Sequence, residues 1–371
     1  MQDEHFPAAE RILSEIENVF RKDPELKEFD IVPVEESTNK SPVLHAEHCL
    51  GLESWCVRHV YCHAYHRLMD IRQQRIRRED TPSMLRLLGG ALLLNPDVST
   101  FWSMRREIIR ADVQLAHAEL HFTAVLLSRK PKCSEVFAHR RWLLGRLLQV
   151  GTAAGDVLGE ELRVSQYAAD RYPNNYYAWS HRMWCINQLA PSTAEPLKVL
   201  WEEWAASKHW VLRHVSDHSG LQYRQFLLKK LSAYLAGTES SAAPGFLRLP
   251  SHGLERSDEC WGSFPDLLAS EVEWNTELIL RFSGHEALWC HRRFLLALLC
   301  SHGGRTAPPD CHVGSDGTPL EKDLKLGEPL AACEQALVSK CLPADVNQYR
   351  LSGQHCKWLA RILYLNVHQC D

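Results

Sequence analysis

Three observations predict an all-α fold, a right-handed solenoid of five to six stacked helix hairpins in a crescent. The stretch Arg171-Tyr-Pro-Asn-Asn-Tyr-Tyr-Ala-Trp-Ser-His-Arg-Met-Trp184 recurs in degraded form on both sides of itself. In three copies a proline stands six residues before an aromatic (Pro96 and Trp102, Pro131 and Phe137, Pro173 and Trp179), and an arginine follows three residues later at Arg105, Arg140 and Arg182. The signature positions 102, 137, 179 and 221 step by 35, 42 and 42 residues. That is the period of helix-pair repeats, which stack because one hairpin cannot bury its own apolar face.

The elements follow in chain order. Ile12, Ile16, Val19 and Phe20 at helical spacing predict a short amphipathic helix over 6–22, stopped by Asp23-Pro24. From Phe29 to Pro42, prolines, acids and Ser/Thr/Asn suit an extended connector, which together with the first helix is a candidate to dock on a partner. Residues 1–44 therefore form a leading segment, and 45–82 a helical region with Gly51 as a break, ending in Arg67, Arg72, Arg75, Arg77 and Arg78 on a solvated face. The repeats occupy 83–300. The copy at 171–184 shows the opening best: Pro173 closes the preceding segment, Asn174 and Asn175 supply turn and N-cap chemistry, and Trp179 and Arg182 share a face of the next helix. Two later copies keep only the second half, at Leu221-Gln-Tyr223-Arg224 and Trp289-Cys-His291-Arg292-Arg293. Residues 237–263 and 301–329, rich in Gly, Ser, Ala and Pro, read as loops, and 330–371 as degenerate capping helices.

A formal net charge of −4 gives no reason to expect a bulk nucleic-acid or anionic-membrane binder. No charged segment leads into an apolar leader, and no run of eighteen apolar residues occurs, so a soluble cytoplasmic protein without a membrane span is expected. Thirteen cysteines scattered among aliphatic neighbours suit reduced thiols. Cys370 lacks the three following residues of a prenyl acceptor, so the chain is not expected to be its own lipid substrate.

Individual residues admit sharper and plainer readings. Cys56, His59, Cys62, His63 and His66 carry metal-ligand chemistry, yet one helix offers an ion only two adjacent turns, so no metal is expected there. Ser216-Asp217-His218 contains the residue types of a hydrolase triad, but consecutive residues cannot line up nucleophile, base and acid. Trp102, Phe137, Trp179 and Trp289 read as core anchors, and Arg105 and Arg140 as ties between successive helix pairs. His139, His181 and His291 share one repeat position, which suggests packing rather than general-base chemistry.

The recurring Pro-x-Asn-Tyr-x-x-Trp-x-x-Arg pattern, best kept at Pro173–Arg182, resembles the α-subunit repeat of protein prenyltransferases. The resemblance spans about residues 83–300. Flanking stretches such as Gly51-Leu-Glu-Ser-Trp-Cys56 and Gly284-His-Glu-Ala-Leu-Trp289 are similar to its type III geranylgeranyltransferase branch. It implies an α-subunit that is inactive alone and scaffolds a β-subunit of the Rab geranylgeranyltransferase kind. On that β-subunit it places the zinc and the geranylgeranyl diphosphate, with no cofactor on this chain. The implied acceptor is a cytosolic protein cysteine, such as that of an already farnesylated SNARE. In the family a lysine directly before Asn-Tyr contacts the diphosphate; here that position is Asn174, and the neighbouring tyrosine carries over as Tyr176. Asn174 and Tyr176 are thus the diphosphate-side candidates, at a helix N-terminus whose free amides favour an anion. Asn175, Tyr177, His181, Arg182, Tyr223, Arg224, His291 and Arg292 are expected to face substrate or partner. The alternative is a helical-repeat interaction scaffold of the tetratricopeptide kind, whose Gly-x-x-Tyr and Ala-x-x-x-Phe signals are absent. A metal enzyme built around His59 is a further rival.

Overall fold

A computed structural model describes residues 7–34, 39–238, 263–302, 321–341 and 345–369. They fall into two units, Met1–Ser192 and Thr193–Asp371. The first begins with α1 (Ala9–Lys22), three short strands β1 (Glu28–Val32), β2 (Val43–Ala46) and β3 (Cys49–Glu53), and α2 (Ser54–Arg72). Three hairpins follow: α3 (Thr81–Leu94) with α4 (Ser99–Ala111), α5 (Ala116–Arg129) with α6 (Ser134–Gln149), and α7 (Ala154–Arg171) with α8 (Tyr176–Ser192). The second unit pairs α9 (Pro196–Arg213) with α10 (His218–Thr238), α11 (Phe264–Arg281) with α12 (Glu286–His302), and α13 (Glu321–Val338) with α14 (Val346–Trp358). The fold is the all-α helical-repeat solenoid that the periodicity implied, with a small sheet at its N-terminal side. No helix among the described residues is long and apolar enough to cross a membrane.

Stacking follows the chain. In the first unit the odd helix α5 packs on α7 while the even helices α4, α6 and α8 pack in succession; in the second, α10 packs on α12 and α12 on α14. Helix starts are set locally: the Asp80 carboxylate accepts from the Ser83 amide with Pro82 in the first turn, and the Ser263 and Asp345 side chains cap α11 and α14 in the same way.

The N-terminal region departs from its sequence reading. Residues 28–32, 43–46 and 49–53 form a sheet of order β1-β3-β2, with β1 parallel and β2 antiparallel to β3, so the first residues of the expected connector and the start of the expected helix are strands. The physical reason is tertiary. The Phe29 amide donates to Ser128 Oγ at 3.0 Å, His121 Nε2 meets the Leu26 carbonyl at 2.8 Å, and Phe29 is buried, so α5 supplies the partner that five residues of strand lack alone. The apolar face of α1, with Ile12, Leu13 and Ile16, is likewise buried against α2 and α3 within this chain rather than held out for a partner.

At the other end, α13 starts at Glu321, so the second part of the expected loop 301–329 is helical, and the expected caps are a sixth full hairpin, closed by a π turn at Leu359–Leu363. Of the two expected loops, residues 239–262 and 303–320 lie outside the described residues.

One close approach in the second unit gives a stability prediction. Gly220 of α10 lies under the Trp210 ring, where any added Cβ would overlap the indole. Trp210 is buried and stacked on His214 at 4.1 Å, so it cannot swing aside. Gly220→Ala is expected to cost about 1–3 kcal/mol by overpacking, read as an earlier urea midpoint. An unchanged midpoint would show that the indole yields.

Candidate functional site

The repeat arginines build one motif again and again. Arg140 donates Nε and Nη2 to the two carboxylate oxygens of Glu161 at 3.0 and 2.5 Å, and Nη1 to the Leu120 carbonyl and Thr123 Oγ1, both at 2.6 Å. Arg105 grips Glu119, Arg224 grips Glu271 and Arg292 grips Glu334 in the same two-pronged manner. In each case Nη1 bonds a carbonyl twenty residues upstream, on the first helix of the arginine's own hairpin, and Arg182 does so with Leu162. The fork therefore ties the two helices of one hairpin to the first helix of the next.

A histidine completes each set. His139, His181, His291 and His355 place Nε2 2.8 to 3.0 Å from Glu119, Glu161, Glu271 and Glu334. Each ring stacks on the aromatic three residues on: Trp142, Trp184, Phe294 and Trp358. Three rings also meet the signature aromatic of the preceding hairpin: Trp102 with His139, Phe137 with His181, and Trp289 with His355. In one hairpin Tyr223 stands in the histidine's place and donates its hydroxyl to Glu203.

This placement corrects the expected interface. Asn175, His181, Arg182, Tyr223, Arg224, His291 and Arg292 are buried within the chain, so none faces a substrate or partner. The guanidiniums of Arg182, Arg224 and Arg292 are committed to the helix ties, because a charge removed from water must be paired inside. Trp102, Arg105, Phe137, Arg140, Trp179 and Trp289 occupy the buried structural positions. The five glutamates were missed by sequence reasoning, although four of them precede their histidine or tyrosine by twenty residues.

The electrostatics favour neutral histidines on ionised glutamates. Burial alone would raise the carboxyls of Glu119 and Glu161, but the adjacent arginine charge and the bonds from His139 or His181 outweigh it and hold both at about 2. Burial keeps His139, His181 and His355 below the ordinary histidine value despite their carboxylate partners. His139 shows the tautomer: Nε2–H donates to Glu119 while Nδ1 accepts from Arg106 Nε at 3.3 Å. At both kinds of group the unfolded chain binds more protons than the folded one, so stability falls as pH falls. The loss is expected to begin below pH 6.5 through the histidines and to continue from 4.5 towards 2 through the glutamates. A lower melting temperature at pH 5 than at pH 7 in calorimetry is the expected result. A flat or rising one would contradict neutral buried histidines.

What remains exposed and chemically apt lies at the α7–α8 turn. Asn174 takes the left-handed conformation at φ 52°, which asparagine tolerates. The equivalent position five residues before Trp289 is Gly284 at φ 78°. Asn175 caps α8, accepting from the Ala178 amide at 3.1 Å, while its own amide donates to Ala168 and Pro131 carbonyls at 3.0 and 2.6 Å. That last bond clamps the Pro131 turn beside the Pro173 turn. It brings up a cation that sequence reasoning missed: Lys132, at the repeat position of Asn174 one hairpin earlier, is exposed, with Nζ 4.6 Å from the Tyr172 ring centre. Tyr176 is 54% exposed and meets Tyr177 edge-to-face at 5.7 Å. Lys132, Asn174 and Tyr176 thus leave a polar surface suited to an anion, although the amides of Tyr176 and Ala178 at the start of α8 are already bonded to the Asn174 carbonyl and Asn175 Oδ1.

The expected absence of a metal at the α2 cysteines and histidines concerns a helix whose Cys56 thiol is buried, pushed up to about 11 by that burial, and bonded to the Glu53 carbonyl, while His63 pairs with Glu10. No group of three metal-ligating side chains occurs among the described residues. Asp217, from the discounted triad, instead caps α10 through the Gly220 amide, and Ser216 bonds His285 at 2.5 Å.

Hairpins cross-tied by buried Arg–Glu–His sets, with a polar turn left at the surface, define a helical-repeat protein whose recurring geometry is structural. The protein prenyltransferase alpha subunit repeat matches residues 116–147, 158–189 and 268–299, which coincide with the second, third and fifth hairpins. The human protein prenyltransferase alpha subunit repeat-containing protein 1 is 37% identical over 316 residues, covering 78% of this chain and 77% of its own length. The zebrafish (Danio rerio) protein of that name is 35% identical over 310 residues, covering 78% and 72%. The pig (Sus scrofa) geranylgeranyl transferase type-2 subunit alpha is 40% identical over 84 residues, 20% of this chain and 15% of that one. The chain belongs to the protein prenyltransferase alpha subunit repeat family.

Proposed function

We propose that this chain is the α-subunit of a heterodimeric protein geranylgeranyltransferase of the type III kind, inactive alone. It would scaffold a β-subunit of the Rab geranylgeranyltransferase type and help select a cytosolic acceptor cysteine, as on an already farnesylated SNARE. The observation that carries the reading is the family membership over most of the chain, extended by the likeness to a geranylgeranyl transferase alpha subunit. Prenyl transfer requires a metal-held thiolate, a long apolar channel and positive charge for the departing diphosphate. The first two belong to the β-subunit in this reading, which carries the zinc and the geranylgeranyl diphosphate. This chain contributes at the third, through Lys132 with Tyr176; Lys132 supplies the cation that Asn174 lacks.

The test is co-expression with the β-subunit, size-exclusion chromatography, and assay of geranylgeranyl transfer to a farnesylated SNARE acceptor. A one-to-one complex whose transfer neither chain shows alone is the expected result. Failure to assemble with any prenyltransferase β-subunit would leave the repeat as a fold alone, and the scaffold reading would replace this one.

A further inference from the structure

The C-terminal end of α2 makes a basic groove that no part of the proposed transferase role uses. Helix α2 ends in a left-handed residue, Gln74 at φ 58°, with the Arg75 amide turned back to the Asp70 carbonyl at 2.9 Å. Residues 74–78 line an open groove of about 800 Å³ together with Met84 of α3 and Met104 and Glu107 of α4. Arg72, Arg75, Arg77 and Arg78 line it, and residues 71–78 contain no acid. Among the described residues Arg72, Arg77 and Arg78 form no ion pair, and Arg75 reaches only the exposed Asp70 at 3.3 Å. The whole chain is acidic by four charges, so this excess is local. The floor is apolar, made by Ile71, Met84 and Met104, and one acid, Glu107, stands at its wall.

We infer that this groove binds an acidic segment of a partner protein, one that alternates carboxylates with aliphatic side chains. Guanidinium forks match carboxylates two-pronged, and methionines adapt to whatever aliphatic side chain enters between them. The volume suits a few side chains of a peptide. No aromatic side chain lines the groove, so it lacks the stacking platform typical of single-strand nucleic-acid sites. Ile71, Met84 and Met104 are buried behind the arginines, and Ile76 is the one large apolar side chain exposed in the lining, less than a membrane-seated face requires.

The experiment is fluorescence anisotropy of the full chain with a labelled peptide of alternating Glu and Leu, against its Gln/Leu and Glu/Ser counterparts. The Glu/Leu peptide is expected to bind best and to weaken with salt. The pair Arg77→Glu and Arg78→Glu is expected to weaken it by about tenfold, since reversal of each exposed charge replaces an attraction by a repulsion. Glu107→Gln is expected to tighten it, a change of opposite sign that misfolding cannot mimic. Binding indifferent to both substitutions would overturn the inference. So would stronger binding to phosphatidylserine vesicles or to a single-stranded oligonucleotide than to the peptide. None of these readouts requires the β-subunit, so the groove and the transferase reading stand or fall separately.

Discussion

Arg140→Ala is expected to lower the unfolding free energy of its unit by about 3–5 kcal/mol, the usual cost of leaving one member of a buried ion pair alone. Arg140 and Glu161 are each 1% exposed, and the guanidinium satisfies Leu120, Thr123 and both Glu161 oxygens at once. Its removal strands three acceptors on two hairpins. Glu161 would then keep only His181, and its carboxyl would rise from its depressed value because burial is no longer opposed by the arginine charge. The double variant Arg140→Met with Glu161→Leu is expected to recover part of the loss, since a dry replacement of a buried pair is often tolerated. It cannot recover all of it, as His181 Nε2–H would lose its acceptor. Urea unfolding followed for the two singles and the double gives the coupling directly. A loss under about 1 kcal/mol for Arg140→Ala would mean that the pair is solvated after all.

Lys132→Ala is expected to slow geranylgeranyl transfer by the assembled enzyme by about 10- to 100-fold while leaving assembly intact, the worth of one charge-assisted bond to a developing anion. Lys132 is exposed on a turn, so its truncation removes only a surface contact with the Tyr172 ring and no core packing. Tyr176→Phe is expected to act in the same direction and more weakly, because a neutral hydroxyl bond is worth less than a charged one. Asn174→Lys is the informative converse. It restores the family's cation, but the left-handed backbone at φ 52° charges a residue other than Gly or Asn about 1–2 kcal/mol. If Lys132→Ala leaves the rate unchanged while Asn174→Lys raises it, the cation is not Lys132 and the site is incomplete in this chain.

These two predictions divide along the line between what the chain order reveals and what it hides. The hairpins were legible because their signal is local. Proline, aromatic and arginine sit at constant offsets within one helix start, and the carbonyl that each arginine meets lies twenty residues upstream in five of the six hairpins. The bond to the glutamate was not legible. Its separation is 14 residues from Arg105, 21 from Arg140, 47 from Arg224 and 42 from Arg292, because it crosses the connection between hairpins, whose length drifts. A fixed spacing of twenty between glutamate and histidine was available, but in a sequence with many acids one more glutamate draws no notice. The strands at 28–53 were hidden for a different reason: short segments pair only because α5 offers Ser128 and an apolar seat to Phe29.

By itself, then, the sequence determined the repeat, its period, the helical class and the family, since each rests on residue types at short, constant separations that the helix geometry enforces. Only the tertiary structure decided that the arginines and histidines nominated as partner-facing are internal ties, that Lys132 stands beside the turn of Asn174 and Tyr176, and that Met84, Met104 and Glu107 of α3 and α4 join the arginine segment 72–78 in one groove. Burial and convergence are properties of helices brought together from distant parts of the chain, and no local spacing encodes which face of a helix its neighbour will cover.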